Sequence, residues 1–275
     1  MTTQYCATFA KQATYLDVTL HSLAYKRLGL DMCYEARAVD NIADAVQDMR
    51  DENLLGCAVS MPYKEQVIQY IDSISPAAKA IGAVNTLINQ SGHIVGDNTD
   101  WLGARYALQS VVPINNKKVL LLGSGGVAKA IGYMAKTEGA SHITIYNRTF
   151  GTGISLADKL EAVYAGNLEN INRSTSYDII INATSVGDID NPVSPIQDKT
   201  LEDLYRINQN LIVMDSIIYP PNTPLISQAS QLGCTTVKGT KMLVAQAVEQ
   251  IKLYTGYSVD TELLYSDFLK TSETI

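Results

Sequence analysis

The sequence is poor in the residues that build metal sites. Its 275 residues include four cysteines and three histidines. The cysteines, Cys6, Cys33, Cys57 and Cys234, are scattered, and no C-x-x-C pair occurs. With His21, His93 and His142 as the imidazoles, the spacing of a structural zinc site is missing, so no metal is expected. The cysteines read as lone buried thiols. There is no apolar run near the roughly 20 residues of a membrane span, and the N-terminus lacks a basic stretch followed by an apolar one. Basic charge is also short, 21 Lys and Arg against 28 Asp and Glu for a net charge of -7, with no basic tail or stripe. That disfavours nucleic acid as a partner. These absences lead us to expect a soluble, cytoplasmic protein that does not work on nucleic acid or a membrane; a small-molecule partner is expected, and a monomer or homodimer, although the sequence does not give the oligomeric state.

What is present is a substantial apolar content, 46% of residues, enough for one large or two modest domains. Short strand and helix patterns alternate through the first hundred residues. Strands are expected at 4–9, 32–39, 56–60, 83–89 and 93–97, and helices at 19–28, 42–49, 64–70 and 76–81. A helix from Asp100 to about Ser110 follows, and Pro113 to Asn116 breaks the pattern. The alternation then becomes more regular. Strands are expected at 119–122, 142–146, 178–182, 211–215 and 235–238, and helices at 127–138, 154–162 and 224–232. This predicts a parallel sheet with helices on both faces. Two further helices, 239–254 and 261–270, end the chain.

The most informative segment is Val119 to Ala130. An apolar strand runs into Gly123, Ser124, Gly125 and Gly126, and a helical pattern opens at Val127 and Ala128. A turn of this kind lets a backbone approach a pyrophosphate, and the next helix offers its free N–H groups and dipole to the anion. Glycine-rich runs also occur as ordinary tight turns; the strand before and the helix after favour a dinucleotide site. The next strand ends in Asn147-Arg148-Thr149. An NAD-preferring fold usually places Asp or Glu there. A guanidinium instead suits a 2′-phosphate, although a surface arginine in a loop fits the same residues.

Three polar clusters lie outside the glycine turn: Ser60 to Glu65 and Asp97 to Asp100, each at a strand-to-helix junction, and Asn85-Thr86. Side chains at the carboxyl ends of strands face the crevice where open α/β sheets bind ligands. Lys64 and Asp100 there form a candidate proton-handling pair. A solvent-facing Lys64 and an Asp100 that merely caps its helix are the alternative. No tyrosine has a lysine four positions later, which removes the Tyr-x-x-x-Lys pair of short-chain dehydrogenases.

Taken in order, Ser-Met-Pro-Tyr-Lys-Glu (60–65), Ala-Val-Asn-Thr (83–86), Asp-Asn-Thr-Asp (97–100), Gly-Ser-Gly-Gly (123–126), Asn-Arg-Thr (147–149), Asn-Ala-Thr-Ser-Val-Gly (182–187) and Lys-Gly-Thr-Lys-Met-Leu-Val-Ala-Gln (238–246) resemble the shikimate dehydrogenase family, over nearly the whole chain. The resemblance implies a two-domain α/β fold: a substrate domain of residues 1–101, to which 240–275 return, and a Rossmann-type NADP-binding domain of residues 102–239. It implies NADP-linked interconversion of 3-dehydroshikimate and shikimate, or of a related polyhydroxylated ring acid, as in the shikimate pathway of aromatic amino acid biosynthesis. Lys64 and Asp100 match the catalytic positions, and Ser60, Asn85 and Gln246 the substrate-binding ones. Cofactor contacts would come from Gly123, Ser124, Gly125, Gly126, Val127 and Ala128 at the pyrophosphate, from Asn147, Arg148 and Thr149 at the adenosine phosphate, and from Thr184, Ser185, Val186, Gly187 and Gly239 toward the nicotinamide. NAD remains possible, because Thr152 stands where a second basic residue is usual.

The chain departs from the family pattern where the substrate carboxylate is bound. The usual Ser-x-Ser-Pro reads Tyr15-Leu16-Asp17-Val18, and Asp17 would repel a carboxylate unless protonated or turned away. Thr19 is the remaining hydroxyl for that task. Ile218 replaces the tyrosine of the family's Asp-x-x-Tyr, and Asp188 follows Gly187 where methionine is usual. These features resemble the divergent shikimate dehydrogenase-like branch. They leave two expectations: a working oxidoreductase, or a degenerate member that binds NADP(H) as a sensor or partner protein.

Overall fold

The computed structural model describes residues 3–12 and 15–272. They form two compact units, one made of the chain up to Gly103 and from Val244 onward, the other of Ala104–Leu243.

The first unit runs β1 (Gln4–Ala10), α1 (Leu16–Leu28), β2 (Met32–Ala38), α2 (Ile42–Asp51), β3 (Gly56–Val59), a 3-10 turn (Gln66–Tyr70), β4 (Ser73–Ile74), α3 (Pro76–Ile81), β5 (Thr86–Gln90) and β6 (His93–Asp97). The start of α4 (Asp100–Gln109) completes its N-terminal part. Its six-stranded sheet has the order β2-β1-β3-β5-β6-β4. The three strands β2, β1 and β3 run parallel, whereas β5 pairs antiparallel with both β3 and β6. Alternation sorts the side chains of β1. Ala7 and Phe9 join Ile42, Val46 and Met49 of α2 in a buried core. Several helix ends follow their sequence signals. Asn41 accepts from the Ala43 N–H to cap α2, Ser75 accepts from Ala78 to cap α3 ahead of Pro76, and α1 stops at the left-handed Gly29.

The second unit holds β7 (Lys118–Leu122), α5 (Gly126–Thr137), β8 (His142–Tyr146), α6 (Phe150–Leu160), β9 (Val163–Gly166), β10 (Ile179–Asn182), α7 (Asp198–Ile207), β11 (Ile212–Asp215), α8 (Pro224–Leu232) and β12 (Thr235–Val237). Its sheet is parallel throughout, in the order β12-β11-β10-β7-β8-β9. The strand order reverses between β7 and β10, which is where doubly wound sheets bind dinucleotides. Leu201 and Leu204 of α7 and Leu225 and Ala229 of α8 pack on Leu120, Leu122, Ile180 and Val213 of the sheet. The chain ends with α9 (Gly239–Thr255), which crosses from the second unit into the first, and α10 (Thr261–Ser272), which packs on α1.

Some elements differ from the sequence reading. An α-helix expected over 64–70 is a turn followed by a 3-10 helix, and the strand expected from Ala83 begins at Thr86. The two differences have one cause. The Val84 N–H donates to the Lys64 carbonyl at 2.7 Å, which takes Lys64 out of a helical ladder and Val84 out of the sheet. α1 starts three residues earlier than expected, at Leu16, and α6 four earlier, at Phe150. Strands β4 and β9 and helix α7 were not anticipated. Cys6, Cys57 and Cys234 are buried as expected, while Cys33 is exposed. Among the described residues, no helix is long and apolar enough to cross a membrane, and no cluster of three metal-binding side chains occurs.

Candidate functional site

In the first unit the end of β3, the segment before β5 and the start of α4 bring Lys64, Asn85 and Asp100 together. Lys64 Nζ donates to Asp100 Oδ2 at 2.6 Å. The lysine side chain keeps 15% of its surface exposed, whereas the carboxylate keeps 2%. The other carboxylate oxygen accepts from Asn85 Nδ2 at 2.9 Å, and Asn98 Oδ1 accepts from the Asp100 N–H at 3.0 Å. Asp100 opens α4, so the helix dipole also favours its charge. Asn85 Oδ1 accepts from the Thr99 N–H and the Thr86 hydroxyl, both at 2.7 Å. With both ends of the amide engaged, its orientation is fixed. A buried ion pair contributes little net stability, but one held this way has a single geometry.

The lattice continues inward through residues that sequence reading did not single out for function. Gln250 of α9 donates to Thr86 Oγ1 at 3.2 Å, and His21 Nε2 lies 3.4 Å from Gln250 Oε1. His21 stacks on Tyr34 with ring centroids 3.8 Å apart, and burial pushes its pKa down to about 3, so it is neutral at physiological pH. The signal for Gln250 was its place one helical turn beyond Gln246. Gln246 itself is half-buried on α9, and Ser60 is half-buried just after β3, its N–H donating to the Phe9 carbonyl at 2.9 Å.

At the start of α1, Tyr15 stands at the N-cap without a side-chain cap bond and is 77% exposed. The Thr19 hydroxyl donates to the Tyr15 carbonyl at 3.0 Å. Asp17, in the first turn of α1, is half-buried. Burial pushes that carboxyl up from its ordinary range. The Thr8 hydroxyl and Lys64 hold it down, and Asp100 pushes it up.

In the second unit the glycine turn joins β7 to α5 at the reversal in strand order. Gly123 has φ +105°, and a Cβ there would meet the Ala183 carbonyl oxygen at 2.8 Å, so only glycine fits. A Cβ on Gly125 would meet no protein atom within 4 Å. Gly125 is also the N-cap of α5 and supplies no side-chain cap, so the first N–H groups of Gly126, Val127 and Ala128 are left for an outside acceptor. The turn is tied to the end of β8: Ser124 Oγ donates to Thr152 Oγ1 at 2.9 Å, and Asn147 Nδ2 donates to the same hydroxyl at 3.0 Å and to the Thr149 carbonyl at 2.7 Å. Arg148 and Thr149 are exposed, and Arg148 makes no hydrogen bond or ion pair among the described residues. An open cradle beside a free guanidinium fits a phosphorylated dinucleotide.

After β10, Asn182 organises the turn that carries Thr184 to Gly187. Its amide accepts from the Thr184 N–H and hydroxyl and donates to the Val186 carbonyl and to Asp215 Oδ1. Asp215, buried at the end of β11, also accepts from Ile217 N–H and from Thr223. Desolvation by burial raises its pKa to about 6, against the pull of those donors. Ser185 is exposed, Thr184 and Val186 half-buried, Gly187 buried at φ +113°, and Gly239 opens α9. Sequence reading missed Asp215, whose only signal was the Asp-x-x-Tyr remnant.

Comparison with known proteins identifies the family. Residues 16–87 match the description of a shikimate dehydrogenase substrate binding domain, and residues 105–229 that of shikimate / quinate 5-dehydrogenase. The chain is 35% identical over 250 residues, 90% of each chain, to the shikimate dehydrogenase (NADP(+)) of Pyrococcus abyssi. This chain belongs to the shikimate dehydrogenase family. Within the family it is also 34% identical to a shikimate dehydrogenase-like protein of Haemophilus influenzae, over 95% of this chain and 94% of the other. Among solved structures, the ligand-free 5-ketofructose reductase of Gluconobacter sp. strain CHM43 is similar, with a TM-score of 0.85, 30% identity, and 98% and 99% of the two chains covered. The family is one of oxidoreductases, and the similar proteins named above do not share a single substrate.

Proposed function

We propose that this protein is an NADP-dependent oxidoreductase that interconverts a secondary alcohol and a ketone on a polyhydroxylated small molecule, of the size and kind of shikimate and 3-dehydroshikimate. The observation that carries this reading is the Lys64–Asp100 contact of 2.6 Å, with the carboxylate buried and held by Asn85.

The open turn at Gly123 to Ala128, with Arg148 beside it, fits the pyrophosphate and the adenosine phosphate, and Thr184 to Gly187 with Gly239 suit the nicotinamide end. NADP is favoured by Arg148 and by the relative from Pyrococcus abyssi; NAD remains acceptable because Thr152 is not basic. When bound, the nicotinamide supplies or accepts the hydride. A carbon that loses hydride must also lose the proton on its oxygen, and a positioned side chain that takes it is worth about 10²–10⁴-fold. Lys64 exchanges that proton with the substrate oxygen. Asp100 orients the ammonium through one oxygen and is itself fixed by Asn85. Ser60, Asn85 and Gln246 supply hydroxyl and amide groups that bond the substrate's other oxygens.

The test is a spectrophotometric screen, at 340 nm with NADP and NAD, of ring acids and of uncharged polyols and ketoses. Turnover of at least one compound, faster with NADP, is expected. Saturable NADPH binding with no turnover of any compound would favour the other reading, a member that binds the nucleotide without catalysis. The altered Ser-x-Ser segment speaks for that reading.

A further inference from the structure

We propose that Asp215 is a positioning residue of the nucleotide site: from inside the second unit its carboxylate holds the two segments assigned to the nicotinamide end, Thr184 to Gly187 and Gly239, in one arrangement. The proposal rests on the cofactor reading above for what those segments receive, and its own evidence is the set of bonds around Asp215.

Asp215 ends β11 with none of its surface exposed. Three donors from three segments converge on it. Asn182 Nδ2, at the end of β10, donates to Oδ1 at 3.0 Å, and the Ile217 N–H donates to the same oxygen at 3.0 Å. The Thr223 hydroxyl, at the N-cap of α8, donates to Oδ2 at 2.7 Å. These groups offer the carboxyl donors and no acceptor, so they fit the ionised acid. No cation balances it: Lys238, just after β12, makes no ion pair with it, and Asp188, beside Gly187, accepts instead from the Asn191 N–H. Burying an unpaired charge is unfavourable, and burial raises the carboxyl to about 6 against the pull of the three donors. An apolar side chain would fill the same space without that cost, so the carboxylate is better explained by the geometry it imposes than by stability.

That geometry reaches both segments. The other proton of Asn182 Nδ2 goes to the Val186 carbonyl at 2.9 Å, and Asn182 Oδ1 accepts from the Thr184 N–H and hydroxyl. Asp215 thus fixes which way the amide lies, and the amide shapes the turn. Asp215 Oδ2 lies 3.7 Å from where a Cβ on Gly187 would stand, which leaves the end of the turn little room to shift. On the other side, Gly239 packs on the peptide whose N–H Asp215 holds: a Cβ there would meet the Ser216 carbonyl carbon at 2.7 Å. A protonated Asp215, or asparagine in its place, turns one acceptor into a donor that faces another donor.

The experiment uses the full chain and needs no turnover. Calorimetry measures binding of NADPH and of 2′-phospho-ADP-ribose, which has the same adenosine phosphate and pyrophosphate but no nicotinamide ring. The proteins are the wild type, Asp215→Asn and Thr223→Val. The last keeps the carboxylate and removes one donor, so it reads the same set of bonds should Asp215→Asn not fold. The wild type is expected to prefer NADPH. Asp215→Asn should weaken NADPH about tenfold or more and Thr223→Val about threefold, with the ring-less compound held within about twofold. As pH falls from 8 through about 6 the wild-type preference should shrink, because the carboxyl takes up a proton, while that of Asp215→Asn stays level. The 2′-phosphate is common to both compounds and drops out of the ratio. Equal losses for the two compounds would make Asp215 a general support of the unit and overturn the proposal. So would a wild type with no preference, NADPH binding unchanged in both variants, or a preference that titrates alike in wild type and Asp215→Asn. A wild type that binds neither compound overturns the cofactor reading and this proposal with it. Absence of turnover with the preference intact overturns only the redox reading.

Discussion

The two regions assigned to chemistry and to nucleotide are built in opposite ways. Around Asp100 the side chains saturate one another. Lys64, Asn85, Thr86, Thr99 and Gln250 form a buried lattice in which Asp100 and both ends of the Asn85 amide have named partners. Around Gly125 the backbone is left bare: an uncapped helix start, no protein atom near a notional Cβ, and a free arginine. A proton that must move between fixed atoms calls for donors held in one geometry. A ligand that brings its own charges calls for N–H groups with nothing in front of them.

Damage to the lattice should therefore cost rate, and damage to the bare turn should cost nucleotide affinity. Asp100→Asn keeps the shape but removes the charge that orients Lys64. Turnover should fall by about 100-fold in steady-state assays while the NADPH dissociation constant stays within about twofold. Equal losses in both would erase the contrast. Gly125→Leu adds a side chain where the protein has none, so thermal stability should stay near wild type while NADPH binding weakens by tenfold or more. If that variant binds NADPH normally, the pyrophosphate lies elsewhere. Arg148→Leu is expected to raise the Michaelis constant for NADP about tenfold, since a charge-assisted contact to phosphate is worth about 1.5–3 kcal/mol, and to leave that for NAD nearly unchanged. Parallel losses for the two cofactors would remove Arg148 as the discriminator.

The far end of the lattice bears on stability, with turnover and nucleotide affinity left aside. His21 is held neutral in the folded chain, with its pKa down at about 3 against 6.5 when unfolded. Its contribution is fully present above pH 6.5 and is lost as pH falls toward 3, with a slope of up to about 1.4 kcal/mol per pH unit. His21→Gln should flatten the fall in denaturation free energy over that window. An unchanged slope would mean that His21 is hydrated and titrates normally.

Much of this was legible in the residues. The strand running into Gly123 and the alternation of elements after it contain the second unit's sheet, because parallel strands buried on both faces read as short apolar runs. Lys64 and Asp100 were found as polar residues at two strand-to-helix junctions, after β3 and β6, which β5 separates in the sheet. The rest depended on contacts distant in sequence. Nothing near Val84 announces that its N–H leaves the sheet for the Lys64 carbonyl. Gln250 reaches Thr86 across 164 positions, and Asp215 reaches Asn182 across 33. The helix α7 went unseen because Leu201 and Leu204 are its only buried apolar side chains in a charged segment. Asp17 was visible as a departure from the family's pattern at the start of α1.

The central claim is that Lys64 carries the proton. It is tested most directly by Lys64→Ala, assayed at saturating NADPH with the best substrate from the screen and with NADPH binding measured on the same sample. Turnover should drop at least about 100-fold with nucleotide affinity intact. Turnover near the wild-type value would contradict the account and pass the proton to another residue or to solvent.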